Sequence, residues 1–588
     1  MREENKHYLD IGEHYFIGAD GSLYYVEPII KDGEITGQTE TAIANHAPIL
    51  KEQRLTDNGI ELTEELIFTV RRNYQMSGDI AVTLKEILSQ TPTLKFGAAC
   101  RIYLGKGYKS RYSEAMQIQC ENAPRSTLYQ RTGYAIIDGQ RVFLNGDNSV
   151  TAKGLTDKYN VAFSGQLSNY RFTAERHESR FDTLLKLLPS TAPQKLIYAG
   201  LGLSFLTPLN ALLRDEGIEP CFILYFTGKT GTRKTTLAKL FLNFFGSFDN
   251  GTAPPAGFRD TPNAVEKKFA LTDSTLVLLD DRIPSTTPKV KAQMETMEQS
   301  VARQIGDRSG RARMNADGSL KPTYRPNCNL IITAEESFSN VGESAIARSI
   351  SVELKPGDIE LTALTETQQR AMELNECMSD YIQFVIQNWE SLKTTLKPLF
   401  LELRSKAQNG GHGRLAECVA HLQIGVCTMC DWLISVGVLN EAQASELKSR
   451  SWSVFVELAE EQNRRIAEEK PVKLFLDAIK EMLDRRTIIF KAVDDSNNYL
   501  SDKMMGFTDG EFYYCYPDSI YTEVRKFYGS QDKSFPLGKG AIFQQLATEN
   551  LIETDRGQST KAKRIEGKRS RFLWLKAAAL ENEEENEQ

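Results

Sequence analysis

Histidine is scarce, with six in 588 residues. Spread this thinly, they support no Ser/His/Asp or Cys/His catalytic constellation, and neither a fused primase nor a nuclease is visible. The nine cysteines, an odd number, give no disulfide framework. No secretory leader is evident, because the opening MREENKHYLD is polar and charged. Free thiols and this opening are the expectation for a reducing, intracellular compartment. Long apolar runs are nearly missing too. The exception, LIYAGLGLSFLTPLNALL from Leu196, is interrupted by Gly200, Gly202, Pro208 and Asn210. It reads as a buried helix, and no membrane is expected as a partner. An excess of positive charge is also lacking. At a net −7 the chain is not a simple basic nucleic-acid binder, so any such surface must be local.

Zinc spacing is apparent only until geometry is considered. Cys418, His421, Cys427 and Cys430 fall in CVAHLQIGVCTMC, which is apolar and helical by pattern. At about 100° per residue they point to roughly 0°, 300°, 180° and 120°. One helix cannot bring all four to a single ion, and they read as core residues.

At about 150 residues per domain, the length implies three or four domains. Residues 1–175 read as a mixed α/β module with short β-like runs such as SLYYVEPII and TGYAIIDGQRVFLNG between Gly, Asn and Asp turns. Over 176–360, helices alternate with fully apolar strands, FILYFTG, TLVLLDD and NLIIT. Strands of that kind belong to a parallel sheet covered on both faces. Residues 361–470 are helical by periodicity, 471–580 form a compact mixed segment, and 581–588 are an acidic, low-complexity tail. The fold class expected is α/β.

An apolar strand running into GKTGTRKT and then an amphipathic helix is a phosphate-binding arrangement. Backbone N–H groups of Gly228, Lys229, Thr230, Gly231, Thr232, Arg233, Lys234, Thr235 and Thr236 would cradle the phosphates of ATP. Lys234 supplies charge to the terminal phosphates, and the Thr235 hydroxyl ligates Mg²⁺. One position departs from the pattern: Arg233 stands where glycine usually precedes the lysine. Its N–H survives, but its side chain must point away from the phosphates. About 45 residues on, the strand TLVLLDD ends in Asp280, to hold Mg²⁺, and Asp281, to polarise the attacking water. NLIIT ends at Thr333, which can orient that water, with Glu335 in reserve. SAIARSISVEL then carries Arg348, at the spacing of an arginine that reaches a neighbouring subunit's γ-phosphate, a contact worth about 10³–10⁵ in rate.

In this order, P-loop, acidic strand, polar strand end and downstream arginine resemble an AAA+ ATPase. The resemblance implies an ATPase core over 176–360, a helical lid over 361–470, ATP held between subunits, and a ring, typically a hexamer. Arg414, opening the helix RLAECVAHL, is the candidate lid arginine, with a structural ion pair as the rival reading. From Arg303 to Arg325 six basic residues face two acidic ones, a net +4. Asn315-Ala316-Asp317-Gly318 reads as a hairpin turn within this segment. A basic hairpin before the third strand resembles the pore hairpin of MCM-like and superfamily 3 helicases. Arg308, Arg311, Arg313 and Lys321 would then grip single-stranded DNA. The C-terminal segment gives three helices and a hairpin with eight basic residues against Glu566 between Arg556 and Lys576. It looks like a winged helix, whose Lys561, Lys563, Arg564, Lys568, Arg569 and Arg571 would contact duplex phosphates.

TLYQRTGYAIIDGQRVFL and GEFYYCYPDSIYTEVRKFY resemble the flanking domains of the helicases carried by prophages and integrative elements, among them the Cch helicases of staphylococcal cassette chromosomes. The resemblance implies an ATP-dependent DNA helicase that acts in the cytoplasm of a prokaryotic host on a mobile element's origin, alongside that element's replication partners. Two other readings stay open. One is an ATP-switched, origin-binding initiator or helicase loader without unwinding activity. The other is a protein-remodelling machine, against which the insert is basic and Tyr324 is its one aromatic residue.

Overall fold

The structure, a computed structural model, describes residues 7–580 apart from 250, 284–286, 336–345, 409–411, 496–501, 532–534 and 556. The acidic tail lies outside the described residues.

At the centre is a five-stranded, wholly parallel sheet. Its strand order is Ala256–Gly257, Leu276–Arg282, Asn329–Ala334, Ile223–Thr227, Ser349–Glu353. The three apolar runs expected from the sequence supply its middle strands. Asn329–Ala334 and Ile223–Thr227 are buried along their whole length, as strands covered on both faces must be. The strand that precedes the phosphate loop therefore does not touch the acidic strand. The strand ending in Thr333-Ala334 lies between them.

The two most apolar helical stretches, Gln194–Asp215 and Gly413–Ser435, are long and apolar enough to cross a membrane, yet 89% and 83% of their apolar windows are buried inside the protein. Glycine explains how they pack so tightly. A Cβ on Gly200 would come within 2.2 Å of the Phe241 ring, and Phe241 lies in the helix Lys234–Leu242 that follows the phosphate loop. A Cβ on Gly425 would lie 2.1 Å from the Gly202 carbonyl oxygen. The helix Gln194–Leu206 is thus held between the phosphate-loop helix and Gly413–Ser435 by close backbone approach. One apolar core runs from Phe143 to Ile466, joining the sheet to the helices of 361–468.

Cys418, His421 and Cys430 are buried in this core. The two ring nitrogens of His421 lie 2.8 Å from the carbonyl oxygens of Glu417 and Ile218, and burial holds its pKa down to about 4. Among the described residues no group of three or more His, Cys, Asp or Glu could hold a metal ion.

The N-terminal part has its own core, from Ile11 to Met116. The four strands His7–Ile11, Tyr15–Gly18, Leu23–Lys31 and Glu34–Ala44 form an antiparallel meander. The C-terminal part has another core, from Val472 to Leu580. It contains helices Pro471–Asp484, Pro517–Gly529 and Lys539–Thr548 and the hairpin Lys561–Ile565/Lys568–Lys576. Strands Ile489–Ala492, Met504–Thr508 and Phe512–Cys515, unforeseen from the sequence, join that hairpin in one sheet.

Gly425→Ala places a methyl group against the Gly202 carbonyl. Overpacking of this kind costs about 1–3 kcal/mol, so the thermal midpoint should fall. Gly529→Ala, where a Cβ meets nothing within 4 Å, should leave it unchanged or slightly raised. Differential scanning calorimetry on the two variants checks the contrast.

Candidate nucleotide site and nucleic-acid interface

The loop after Ile223–Thr227 turns on two glycines. Gly228 has φ +146°, and a Cβ there would sit 2.2 Å from the Leu354 carbonyl oxygen; Gly231 has φ +87°. Arg233 caps the following helix at φ 64°, ψ 29°, the left-handed region usually left to glycine. The unusual residue found in the sequence thus keeps the backbone shape of the glycine it replaces. The Lys234 ammonium lies inside the loop, donating to the carbonyls of Gly228 at 2.6 Å and Lys229 at 3.0 Å. Burial draws its pKa below the ordinary lysine value, opposed by Glu335, Asp280 and Asp281.

Asp280 is the hub. Its Oδ1 accepts a hydrogen bond from Thr235 Oγ1 at 2.7 Å and another from Thr333 Oγ1. The Asp281 N–H donates to Thr333 Oγ1 at 3.2 Å. Pairing between the strands loses register between Leu279 and Arg282, and Asp281 adopts φ +74° at that irregularity. The local kink separates the surroundings of the two consecutive carboxylates. Burial, and then the adjacent Asp280, raise the Asp281 pKa. Thr230 Oγ1 donates to Glu335, which brings the reserve residue against the loop.

Of these groups, Asp280 lies behind the two threonine hydroxyls; Lys234, Thr235, Asp281, Thr333 and Glu335 line a cleft of about 450 Å³, with Thr236 and Arg282 completing it. Its chemistry suits a nucleoside triphosphate, with backbone N–H groups and a lysine at one wall and carboxylates at the other. It suits Mg²⁺ as well. Two ligands of an octahedral Mg²⁺ at about 2.1 Å stand about 3 Å apart, close to the Thr235–Asp280 separation.

Arg282, missed in the sequence, links this cleft to the insert. It follows Asp281 directly and pairs with Glu298 at 2.8 Å, both side chains buried. Glu298 is on the helix Pro288–Asp307, which leads into the basic segment. An arginine beside an acidic strand end was the available signal.

Arg348 and Arg414 do not meet the cleft. The Arg348 carbonyl accepts from the Ile223 N–H, at the start of the two strands whose far ends reach the loop. Five residues at about 3.3 Å each separate the two ends by roughly 17 Å. The Arg348 guanidinium pairs with Asp307 at 2.6 Å. Arg414 lines a second cleft, of about 320 Å³, with Arg404, Glu219, Gly306 and Ala347. Gly306 is also where a Cβ would meet the Arg348 side chain, so both arginines stand at the end of the sheet away from the nucleotide cleft.

The insert does form a hairpin turn: Met314 bridges Leu320, Asn315 N–H donates to Ser319 O at 2.8 Å, and Lys321 N–H to Arg313 O at 2.7 Å. Its basic residues divide. Arg308 is a correction to the sequence reading. It is buried and bonds the carbonyls of Pro220 and Cys328 and the Asn329 side chain, so it anchors the insert and cannot reach DNA. Arg313 pairs with buried Glu266, and Arg325 with Glu219. Arg311 and Lys321 are exposed at the turn.

The C-terminal hairpin divides by strand alternation. Lys561 and Lys563 share the face of Phe572, where they lie 4.4 Å from the Trp574 ring centroid and 3.7 Å from that of Tyr514. They also pair with Glu553 and Asp509. Arg564, Arg569 and Arg571 share the opposite, exposed face, and Lys568 is exposed beside the turn.

No protein-family model matches the chain, and no curated protein matches it in sequence. In structure it is similar to the SCCmec type IV Cch active helicase, with a TM-score of 0.61 at 12% identity over 97% of this chain and 99% of that one. The chain shares the fold of that protein. The overlap with the JCV helicase is partial, covering 47% of this chain and 74% of that one at 12% identity, and its TM-score of 0.20 defines no common fold.

A left-handed arginine costs roughly 1–2 kcal/mol. Arg233→Gly should therefore raise the thermal midpoint and keep ATP binding, whereas the β-branched Arg233→Val should lower both. Thermal denaturation and titration with a fluorescent ATP analogue would detect either departure.

Proposed function

We propose that the protein is an ATP-hydrolysing DNA helicase of the AAA+ type, built as a ring, with a hexamer as the expected form. The observation that carries this reading is the strand carrying Thr333 lying between the phosphate-loop strand and the acidic strand, with Thr235 and Thr333 on one oxygen of Asp280. Residues 1–175 are then an N-terminal domain whose last part, from Phe143, packs into the central core, 176–360 the ATPase core, 361–470 the lid and 471–580 a winged helix.

In this reading the loop N–H groups and Lys234 hold the β- and γ-phosphates, and Thr235 and Asp280 hold Mg²⁺. The bound metal supplies charge that offsets the phosphate oxygens. Asp281 takes the proton of the attacking water, and Thr333 fixes the water's position. Arg348, some 17 Å from its own cleft, acts on the nucleotide of a neighbouring copy, and Arg414 faces the same boundary. Arg311 and Lys321 grip the strand in the pore. The mobile-element setting follows from the flanking sequence resemblance.

Strand displacement on a forked duplex tests this proposal. Lys234→Ala should abolish ATP turnover and unwinding with the fold intact. The Arg311→Ala/Lys321→Ala variant should lose unwinding while keeping ATPase activity. Robust DNA-stimulated ATPase with no displacement on any fork would favour the initiator or loader instead, and turnover surviving in Lys234→Ala would overturn the site itself.

Duplex binding tests the C-terminal assignment separately. Each phosphate contact contributes about 0.9 to the slope of log K against log salt. Replacing Arg564, Arg569 and Arg571 by alanine should flatten that slope by about 2 to 3. Lys563→Ala should change it by less than 1, since that ammonium is held against Tyr514 and Asp509.

A further inference from the structure

Two surfaces of the N-terminal part are apolar, exposed and opposite in charge. The first is the end of the long ribbon formed by Leu23–Lys31 and Glu34–Ala44, which turns at Asp32-Gly33 with both residues at positive φ. Ile30 is 63% exposed and Ile35 70%, with Ile29 beside them. Residues 27–40 carry four acidic side chains against Lys31 alone, which makes this tip unsuited to nucleic acid. The second surface is the segment 84–109. Leu94 is 83% exposed and Leu104 103%, with Leu84 and Leu88 also exposed. Five basic residues stand there against Glu86 alone, and Lys106 and Lys109 are exposed beside Leu104.

Within one chain the two surfaces cannot meet. The Tyr103 N–H donates to the Ile43 carbonyl, so the Leu104 loop sits at the base of the ribbon. Ile35 lies eight residues further along the strand, roughly 26 Å away at about 3.3 Å per residue. An acidic apolar tip and a basic apolar patch held apart in this way are complementary only between molecules. Large exposed apolar side chains clustered with charge of one sign mark such contacts.

We propose that the tip of the ribbon in one copy docks on the 84–109 patch of a second copy. The contact is head-to-tail, each copy giving its tip in one direction and its patch in the other. Contacts of this symmetry close into rings when the rotation allows. The contact does not depend on the nucleotide site, so it holds subunits together before ATP binds.

Sedimentation velocity of the full chain, nucleotide-free and at low salt, tests the contact. Wild type should sediment as a multimer that dissociates as salt rises. Asp32→Lys/Glu34→Lys, with a basic tip, and Lys106→Glu/Lys109→Glu, with an acidic patch, should each be monomeric. An equal mixture of the two should recover the multimer, because each tip then finds an opposite patch on the other variant. A monomeric wild type, either variant keeping the wild-type mass, or a mixture that stays monomeric would overturn the proposal. If Lys106→Glu/Lys109→Glu loses DNA binding with its mass unchanged, the patch belongs to DNA and the self-contact is likewise rejected.

Discussion

One oxygen, Oδ1 of Asp280, takes hydrogen bonds from both Thr235 and Thr333, and the nucleotide cleft is organised around it. The two hydroxyls come from different elements, and only the strand order brings them together. Thr333 stands opposite Phe226 in the register of its strand, so its strand and the phosphate-loop strand end at the same level. The acidic strand joins from the other side and breaks its register where Asp280 and Asp281 emerge. Two non-glycine residues in left-handed conformation, Arg233 and Asp281, flank this cleft. Each costs about 1–3 kcal/mol, and each sets the direction of a functional group. Arg233 aims the loop N–H groups and Asp281 its carboxylate.

From that cleft a continuous path leads to the basic turn. Arg282 touches the cleft and binds Glu298. The helix bearing Glu298 ends at Asp307, and Arg308 fastens the next residue to Pro220, Cys328 and Asn329. A buried guanidinium is tolerated only with its donors satisfied, and those carbonyls satisfy it. The turn at 314–320 is therefore carried on a support fixed at both ends, one of them at the edge of the nucleotide cleft.

The phosphate loop, both carboxylates and Thr333 were legible in the sequence because each depends on local order: strand, turn, helix, or apolar strand with a polar end. Arg308 was not, since a count of charges between 303 and 325 carries no information on burial. A core arginine and a DNA-facing one look alike until the strand of Asn329 is placed against the helix. The surroundings of Lys561 and Lys563 were hidden in the sequence for a related reason. Charge density picked out the hairpin, but the period of two decides which cations face outward, and the aromatic face that captures the lysines is built partly by Phe512–Cys515, a strand the sequence did not reveal. The position of Arg414 depends on how a helix of 23 residues packs against Gly202, which is a matter of glycine contact and not of any motif.

The placement of Arg348 and Arg414 is what the proposed assembly has to accommodate. Both stand at the end of the sheet where the strands begin, while the phosphate loop stands where they finish. Parallel strands fix that polarity, so no rotamer change brings either guanidinium to its own cleft. An arginine acting on phosphate from there must act on another molecule's, and a molecule that donates at one end and receives at the other makes a heterologous contact. The ribbon tip and the 84–109 patch have the same directional sense. A closed ring, in which each copy gives its ribbon tip and Arg348 to the next, is the assembly that both proposed contacts would share.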